Sequence, residues 1–242
     1  MKRNNFIVTV IFIILLTGLF LYKEGDGVKY LLSDKSRKIT VVLDAGHGNF
    51  DPGKIGINKA VEKDINLSIT YKLKALLEDN GINVVMTRTD DNCLCKKSDT
   101  DKKRADMKRR VSIINSSGAL IAVSIHQNSF TQESSRGAQV FYYQNSEKGQ
   151  ILAEMIQDSI KGYIKDGNHR LAKANSSYYL LRYSNCPLVI VECGFLSNRA
   201  EAELLCTDAY QDKMAWAIHL GIIEYINSNI ADNAVPLVEK NE

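Results

Sequence analysis

Short apolar runs that alternate with amphipathic segments constrain the fold of this chain more than any other feature. The first such run, residues 38–43 (KITVVL), opens into a glycine-rich segment, and residues 62–80 then carry apolar side chains three or four positions apart before Gly81. Alternation of this kind is typical of a sheet that helices cover on both faces. We therefore predict an α/β fold, a three-layer α/β/α sandwich around a mostly parallel or mixed sheet of about six strands.

The same patterns predict the remaining elements. Apolar runs bounded by glycine or polar residues predict strands. These strands comprise residues 38–43, 82–87, 120–125, 139–143, 178–182 and 188–191. Segments with a single apolar face predict helices. These helices comprise residues 62–80, 103–117, 150–163 and 210–227. The sequence shows neither an internal repeat nor a linker within this region, so it predicts a single folded domain there.

An uncharged apolar stretch precedes this domain. It runs from Phe6 to Tyr22, with Lys2 and Arg3 before it. Its length lies at the lower end for a membrane span and slightly above that of a usual signal-peptide core. No small residues suited to cleavage follow it, so residues 1–27 are predicted as an N-terminal membrane anchor, with a cleaved signal segment as the alternative. The positive-inside rule then places the rest of the chain, with the folded domain predicted as residues 28–242, outside the cytoplasmic membrane.

Charge and cysteine content argue against a nucleic-acid-binding domain and against a small disulfide-stabilised domain. A net charge of +3 argues against a dedicated nucleic-acid-binding domain, which would normally be strongly basic. The cysteines are too few, and odd in number, for a disulfide framework, and the spacing of the first two does not suit a zinc knuckle. We expect all five cysteines to be free. They are Cys93, Cys95, Cys186, Cys193 and Cys206.

Ionisable residues follow three of the predicted strands. His47, His126 and Glu192 each come at the end of an apolar run, where ligands bind in open α/β sheets. Two imidazoles and one carboxylate are a usual protein ligand set for catalytic zinc, and Glu62 could supply the carboxylate from the start of a helix. From spacing alone, the alternative stays open that the histidines are structural and that Glu62 only favours the helix dipole.

Four separated motifs surround these residues. They are VVLDAGHG at 41–48 with DPG at 51–53 and EKDINL at 62–67, VMTR at 85–88, SIHQN at 124–128, and PLVIVECGFLSN at 187–198. In this order, and over residues 38–228, the chain resembles the zinc-dependent N-acetylmuramoyl-L-alanine amidases. The resemblance implies that His47, Glu62 and His126 bind Zn²⁺ and that Glu192 is the catalytic residue. Asn49 and Phe50 depart from the glycine-containing pair that is more usual after the first histidine.

The resemblance also implies a reaction. The family hydrolyses the amide between the lactyl group of N-acetylmuramic acid and the first L-alanine of the peptidoglycan stem peptide. Zinc would activate water and polarise the amide carbonyl, while Glu192 would move the proton from water to the leaving nitrogen. Since fold and metal do not fix the substrate, two alternatives stay open. They are a zinc peptidase of another specificity and a catalytically silent wall-binding protein.

The arrangement of the chain suggests where such an enzyme works. A single catalytic domain behind an N-terminal anchor is most similar to the germination-specific spore-cortex amidases. We therefore expect an extracytoplasmic protein, either membrane-anchored or secreted, that acts in spore-cortex maturation, in the space around the developing spore. The expected partners are peptidoglycan strands with stem peptides, the membrane through the N-terminal segment, and an accessory or activating protein, but no nucleic acid.

Overall fold

The computed structural model describes residues 39–234, with their side chains as far as residue 230. The predicted membrane anchor or signal segment, residues 1–27, lies outside these described residues. Within them, no helix combines the length and the apolar character needed to cross a bilayer.

One mixed sheet forms the centre of the described region and contains six strands there. They are β1 (Thr40–Ala45), β2 (Asn83–Met86), β3 (Ile121–Asn128), β4 (Gln139–Tyr143), β5 (Lys173–Asn175) and β6 (Leu188–Phe195). Residues 39–234 also include six helices. They are α1 (Glu62–Asp79), α2 (Lys102–Ser116), α3 (Glu147–Ile164), α4 (Tyr179–Tyr183), α5 (Arg199–Leu205) and α6 (Asp208–Ala234).

The strand order places the ends of the central strands together. Across the sheet the order is β2-β1-β3-β6-β4-β5. The first four strands in this order are mutually parallel, whereas β4 runs antiparallel to β6 and parallel to β5. The carboxyl ends of β1, β3 and β6 therefore lie at one edge of the sheet, which is where ligands bind in folds of this class.

Two apolar clusters cover the two faces of the sheet. Side chains alternate along a strand, so Val41 and Leu43 of β1 pack into one cluster and Val42 packs into the other. The first cluster includes apolar residues of α1, α3 and α6, and the second includes residues of α2 and α4. Helices thus lie on both faces of the mixed sheet, and the predicted three-layer α/β/α sandwich is confirmed.

The predicted strand over residues 178–182 is wrong, because these residues begin helix α4, and the edge strand is β5 instead. The side-chain oxygen of Asn175 accepts a hydrogen bond of 2.9 Å from the Tyr178 N–H and turns the chain. Leu180 and Leu181 are neighbours, yet both are buried in the same cluster. A strand would point them to opposite faces, whereas a helical turn places both against α2 and the sheet.

The prediction of five free cysteines is wrong for one pair. Cys93 and Cys95 form a disulfide. The backbone N–H of Leu94, between the two cysteines, donates a 2.7 Å hydrogen bond to Asp106 Oδ1 on α2. Such a long-range contact is not visible in the spacing of the cysteines. The other three cysteines, Cys186, Cys193 and Cys206, are free.

Candidate active site

A cleft lies at the carboxyl ends of β1, β3 and β6. Its volume is about 530 Å³, and its lining includes every residue predicted for the site. His126 on β3 and Glu192 on β6 are paired in the register of the two strands. Phe50, one of the two residues that depart from the usual family pattern, is 45% exposed and lines this cleft.

Three of the predicted residues come together in a compact donor set. His47, Glu62 and His126 offer ligand atoms that all lie within 4.8 Å of one another. Glu62 Oε1 lies 3.2 Å from His47 Nε2 and 3.0 Å from His126 Nδ1. Two imidazole nitrogens and a carboxylate oxygen at this separation fit a divalent transition metal with an open coordination position. The cleft therefore contains a candidate metal site.

The carboxylate of Glu62 is oriented by the backbone around it. Glu62 is the first residue of α1, and its side chain is 2% exposed. Oε2 accepts a hydrogen bond of 2.8 Å from the Lys54 N–H, and Oε1 accepts bonds of 3.1 Å from the Gln127 N–H and 3.3 Å from Asn66 Nδ2. Burial alone would raise the pKa of Glu62, but hydrogen bonds and charge from the two histidines hold that pKa well below its usual range.

The loop after β1 aims His47 at this carboxylate. His47 has a φ of 63°, and its Nδ1 lies 2.9 Å from Asp51 Oδ2. The loop passes very close to the site: a Cβ at Gly46 would overlap the His126 ring, and one at Gly53 would lie 2.5 Å from a Glu62 oxygen. These glycines are therefore needed for the close approach of the backbone.

Glu192 has a different environment from Glu62. Its side chain is 9% exposed, and its Oε2 has no hydrogen-bond partner among the described residues. Burial raises the pKa of Glu192 to about 7, with the negative charge of Glu62 adding to the increase and the charge of His126 opposing it. A carboxyl group with a pKa near neutrality can both accept and release a proton in a reaction at neutral pH.

Sequence reasoning missed several supporting residues. Asn66 bonds both Glu62 and the Gly46 carbonyl, and Asp51 contacts His47. Arg88 and Arg110 donate to backbone carbonyls of the loop that carries His47. Asn66, Asp51 and Arg88 lie inside the motifs quoted above, which was a usable signal. Arg110 lies in a basic stretch that looks like an ordinary solvent-exposed helix face.

Comparisons with known proteins agree with this geometry. The sequence model described as N-acetylmuramoyl-L-alanine amidase matches residues 41–224. A relative in Bacillus subtilis strain 168, the germination-specific N-acetylmuramoyl-L-alanine amidase, is 35% identical over 229 residues, which cover 93% of this chain and 95% of the relative.

Solved structures of similar proteins share the fold. The CwlD amidase from Clostridioides difficile, in complex with the GerS lipoprotein, is 43% identical with a TM-score of 0.77, over 79% of this chain and 100% of that chain. The amidase AmiC2 of Nostoc punctiforme is 33% identical with a TM-score of 0.70, over 79% of this chain and 99% of that chain. Since the matched residues include the donor set, Glu192 and the sheet that positions them, the resemblance found in the motifs is confirmed, and the chain belongs to the N-acetylmuramoyl-L-alanine amidase family.

Proposed function

We propose that this enzyme is a zinc-dependent amidase that separates N-acetylmuramic acid from the stem-peptide L-alanine during maturation of the spore cortex. The observation that carries the proposal is the arrangement of the cleft. His47, Glu62 and His126 form one donor set, and Glu192 lines the same cleft on the neighbouring strand to His126. A binding protein would have no use for a carboxyl group beside such a donor set with a buried oxygen, Glu192 Oε2, that no described residue hydrogen-bonds.

In this proposal the roles of the four side chains are distinct. His47, Glu62 and His126 hold the metal. When bound, zinc supplies a Lewis acid that polarises a carbonyl and makes water a better nucleophile at neutral pH. Glu192 accepts a proton from the water that attacks the amide carbonyl. It then delivers this proton to the alanine nitrogen as the carbon–nitrogen bond breaks, because an amide nitrogen leaves poorly unless it is protonated.

The hydrogen bonds around Glu62 and Glu192 differ in a way that suits their different proposed roles. The Lys54 and Gln127 N–H groups donate to Glu62, and these bonds favour its ionised form, as a metal ligand requires. Glu192 receives no such bond at Oε2, so this oxygen is available to water or to the leaving nitrogen. The different hydrogen bonding of the two carboxylates thus supports the assignment of Glu62 as a ligand and Glu192 as the proton carrier.

The spore role and the accessory partner are supported by relatives. The Bacillus subtilis relative is named as germination-specific, and the Clostridioides difficile amidase was solved in complex with a lipoprotein. We infer that this enzyme also acts on cortex peptidoglycan and that a membrane-bound accessory protein positions or activates it. Activity of the purified enzyme on intact sacculi should therefore rise when such a protein is added, and full activity without any addition would contradict the accessory role.

The proposed location follows from the N-terminal segment. Lys2 and Arg3 before the apolar stretch favour export of the rest of the chain. A reporter enzyme fused after Glu242 should be active outside the cytoplasmic membrane. A reporter that is active only in the cytoplasm would contradict both the location and access to the wall.

Mass spectrometry of digested peptidoglycan tests the reaction. The full-length enzyme with zinc should release stem peptides that begin with a free L-alanine amine and leave lactyl carboxylates on the glycan. The Glu192→Gln variant is the matched control, and it should release little of either product. Cleavage inside the stem peptide would instead show a zinc peptidase of another specificity. Binding to the wall without any cleavage would show a silent wall-binding protein.

A further inference from the structure

The backbone that carries His47 has an unusual conformation. His47 and Asn49 have φ values of 63° and 53°, in the left-handed region that residues with a Cβ rarely adopt. Conformations of this kind persist only where the surrounding structure determines them strongly. The contacts that hold this backbone therefore decide where the His47 imidazole points.

Two buried arginines donate to the carbonyls of three consecutive residues in this segment. The Ala45 oxygen accepts from Arg88 Nε at 2.8 Å and from Arg110 Nη1 at 2.7 Å. The Gly46 oxygen accepts from Arg88 Nη2 at 3.0 Å, and the His47 oxygen accepts from Arg110 Nη2 at 2.6 Å. Among the hydrogen bonds of the described residues, the bond from Arg110 is the only one that a side chain donates to the His47 carbonyl.

The guanidinium of Arg110 is itself fixed. Its side chain is 2% exposed, and it bonds Asp44 Oδ1 and Asp106 Oδ2, both at 2.7 Å. Asp44 also accepts hydrogen bonds from Thr87 and Ser124. A planar fork with several donors can satisfy two carboxylates and two carbonyls at once, which a lysine ammonium with its single nitrogen cannot do from the same place.

We infer that Arg110 is a positioning residue for the metal site: it fixes the backbone of His47 so that the imidazole meets Glu62 and His126. This inference rests on the proposed zinc function of the donor set. The contact pattern separates it from a purely structural role. If Arg110 served only stability, its ion pairs with Asp44 and Asp106 would be sufficient. Arg110 also donates hydrogen bonds to the carbonyls of Ala45 and His47, which belong to the segment that carries the ligand.

The Arg110→Lys variant of the full-length chain tests this role. Zinc affinity is measured by competition with a chromogenic chelator, and ligand geometry by the visible absorption spectrum of the cobalt-substituted protein. Loss of a contact that orients a metal ligand typically weakens metal binding about 10- to 100-fold, so we expect a zinc Kd raised by that factor and a shifted cobalt spectrum. A merely structural role would lower Tm and leave both readouts unchanged, and that result would overturn the inference.

Arg109→Lys is the matched control, because Arg109 is the neighbouring residue on α2 and pairs with Asp99 at 2.5 Å, away from the loop. It should leave the zinc Kd and the cobalt spectrum as in wild type. If Arg110→Lys does not fold, Asp106→Asn decides in its place, since it removes the charge that holds Arg110 Nε. A raised zinc Kd in Asp106→Asn supports the inference, and an unchanged Kd overturns it.

The two proposals can fail separately. A wild-type chain that binds no zinc would overturn the metal site and this inference together. A wild-type chain that binds zinc tightly, with an Arg110→Lys variant that binds it equally well, would leave the proposed function intact and overturn the positioning role alone.

Discussion

Glu192 on β6 and His126 on β3 are partners in the parallel register of two central strands. Both strands are buried along their apolar stretches, so the relative position of these two side chains is set by backbone pairing rather than by a loop. The remaining ligand candidates come from less regular structure, since His47 lies in a loop and Glu62 at the start of α1. The positions of His126 and Glu192 thus depend on strand pairing, whereas those of His47 and Glu62 depend on local contacts.

Exchanging each carboxylate for its amide should separate the proposed ligand from the proposed base. Glu192→Gln is nearly isosteric and should retain zinc and the fold, while kcat falls by about 10² to 10⁴, the usual contribution of a positioned acid or base. Glu62→Gln should lose zinc, because a neutral amide is a weaker ligand, and added zinc should partly restore its activity. Turnover and zinc content are measured on the same samples. Zinc loss in Glu192→Gln with retention in Glu62→Gln would reverse the two roles.

Zinc should stabilise the folded chain through its donor set. A ligand that binds only the native state at a hundredfold excess over its Kd contributes about 2.7 kcal/mol, which corresponds to a rise in Tm of about 5 to 10 °C for a domain of this size. Thermal unfolding with and without zinc measures this rise. His47→Ala and His126→Ala should abolish it.

His219→Ala is the control for this measurement. His219 is buried in α6, where its Nε2 lies 3.1 Å from Asn80 Nδ2, so its removal should lower Tm itself. The zinc-dependent rise should nevertheless stay as in wild type. A full rise in either His47→Ala or His126→Ala would show that the donor set has been assigned incorrectly.

Asp44 should contribute to the acid sensitivity of the fold. Burial alone would raise its pKa, but the charge of Arg110 and hydrogen bonds from Ser124 and Thr87 lower it from 3.8 to about 2. Because the pKa is lower in the folded state than in the unfolded state, the carboxylate stabilises the fold by about 2 kcal/mol above about pH 4. This contribution is lost as the pH falls through about 2.

The Asp44→Asn variant provides the measurement. The difference in free energy of unfolding between wild type and Asp44→Asn should be largest above about pH 4 and should shrink towards pH 2, because wild-type Asp44 is then protonated as well. Chemical denaturation at several pH values gives this difference. A difference that stays constant over the whole range would contradict a lowered pKa of Asp44.

Thiol counting should confirm the pairing of Cys93 with Cys95. The unreduced, denatured chain should react with a thiol reagent at three positions, and the reduced chain at all five. A protein that works outside the cytoplasm would keep such a bond, since disulfides persist in oxidising compartments. Five reactive thiols before reduction, in protein isolated from that compartment, would contradict the disulfide.

The sequence was sufficient for the features that depend on local pattern. Short apolar runs and the residues after them indicated β1, β3 and β6, and therefore where His47, His126 and Glu192 would meet. The same reasoning failed at residues 178–182, because a run rich in tyrosine and leucine favours a strand, while burial of both Leu180 and Leu181 on one side requires a helical turn. Tertiary packing overruled local propensity there.

Features that depend on distant contacts could not be predicted from the pattern. Arg110 and the His47 carbonyl are 63 residues apart in the sequence, and a basic helix in isolation gives no reason to bury one of its arginines. Helix α5 was also missed, although Asn198 caps it by accepting a 3.0 Å hydrogen bond from the Glu201 N–H. This helix is too short for an apolar period to stand out.

The strand order determines how late in synthesis the central sheet can be completed. β6 is the last of the described strands to be synthesised, yet it lies inside the sheet, between β3 and β4. Until residues 188–195 are available, β4 has no β6 to pair with, and β3 has no neighbour on that side. The same strand carries Glu192. A nascent chain can therefore contain His47, His126 and Glu62 while it still lacks β6 and Glu192. The sheet is completed by the same strand that brings in the proposed proton carrier.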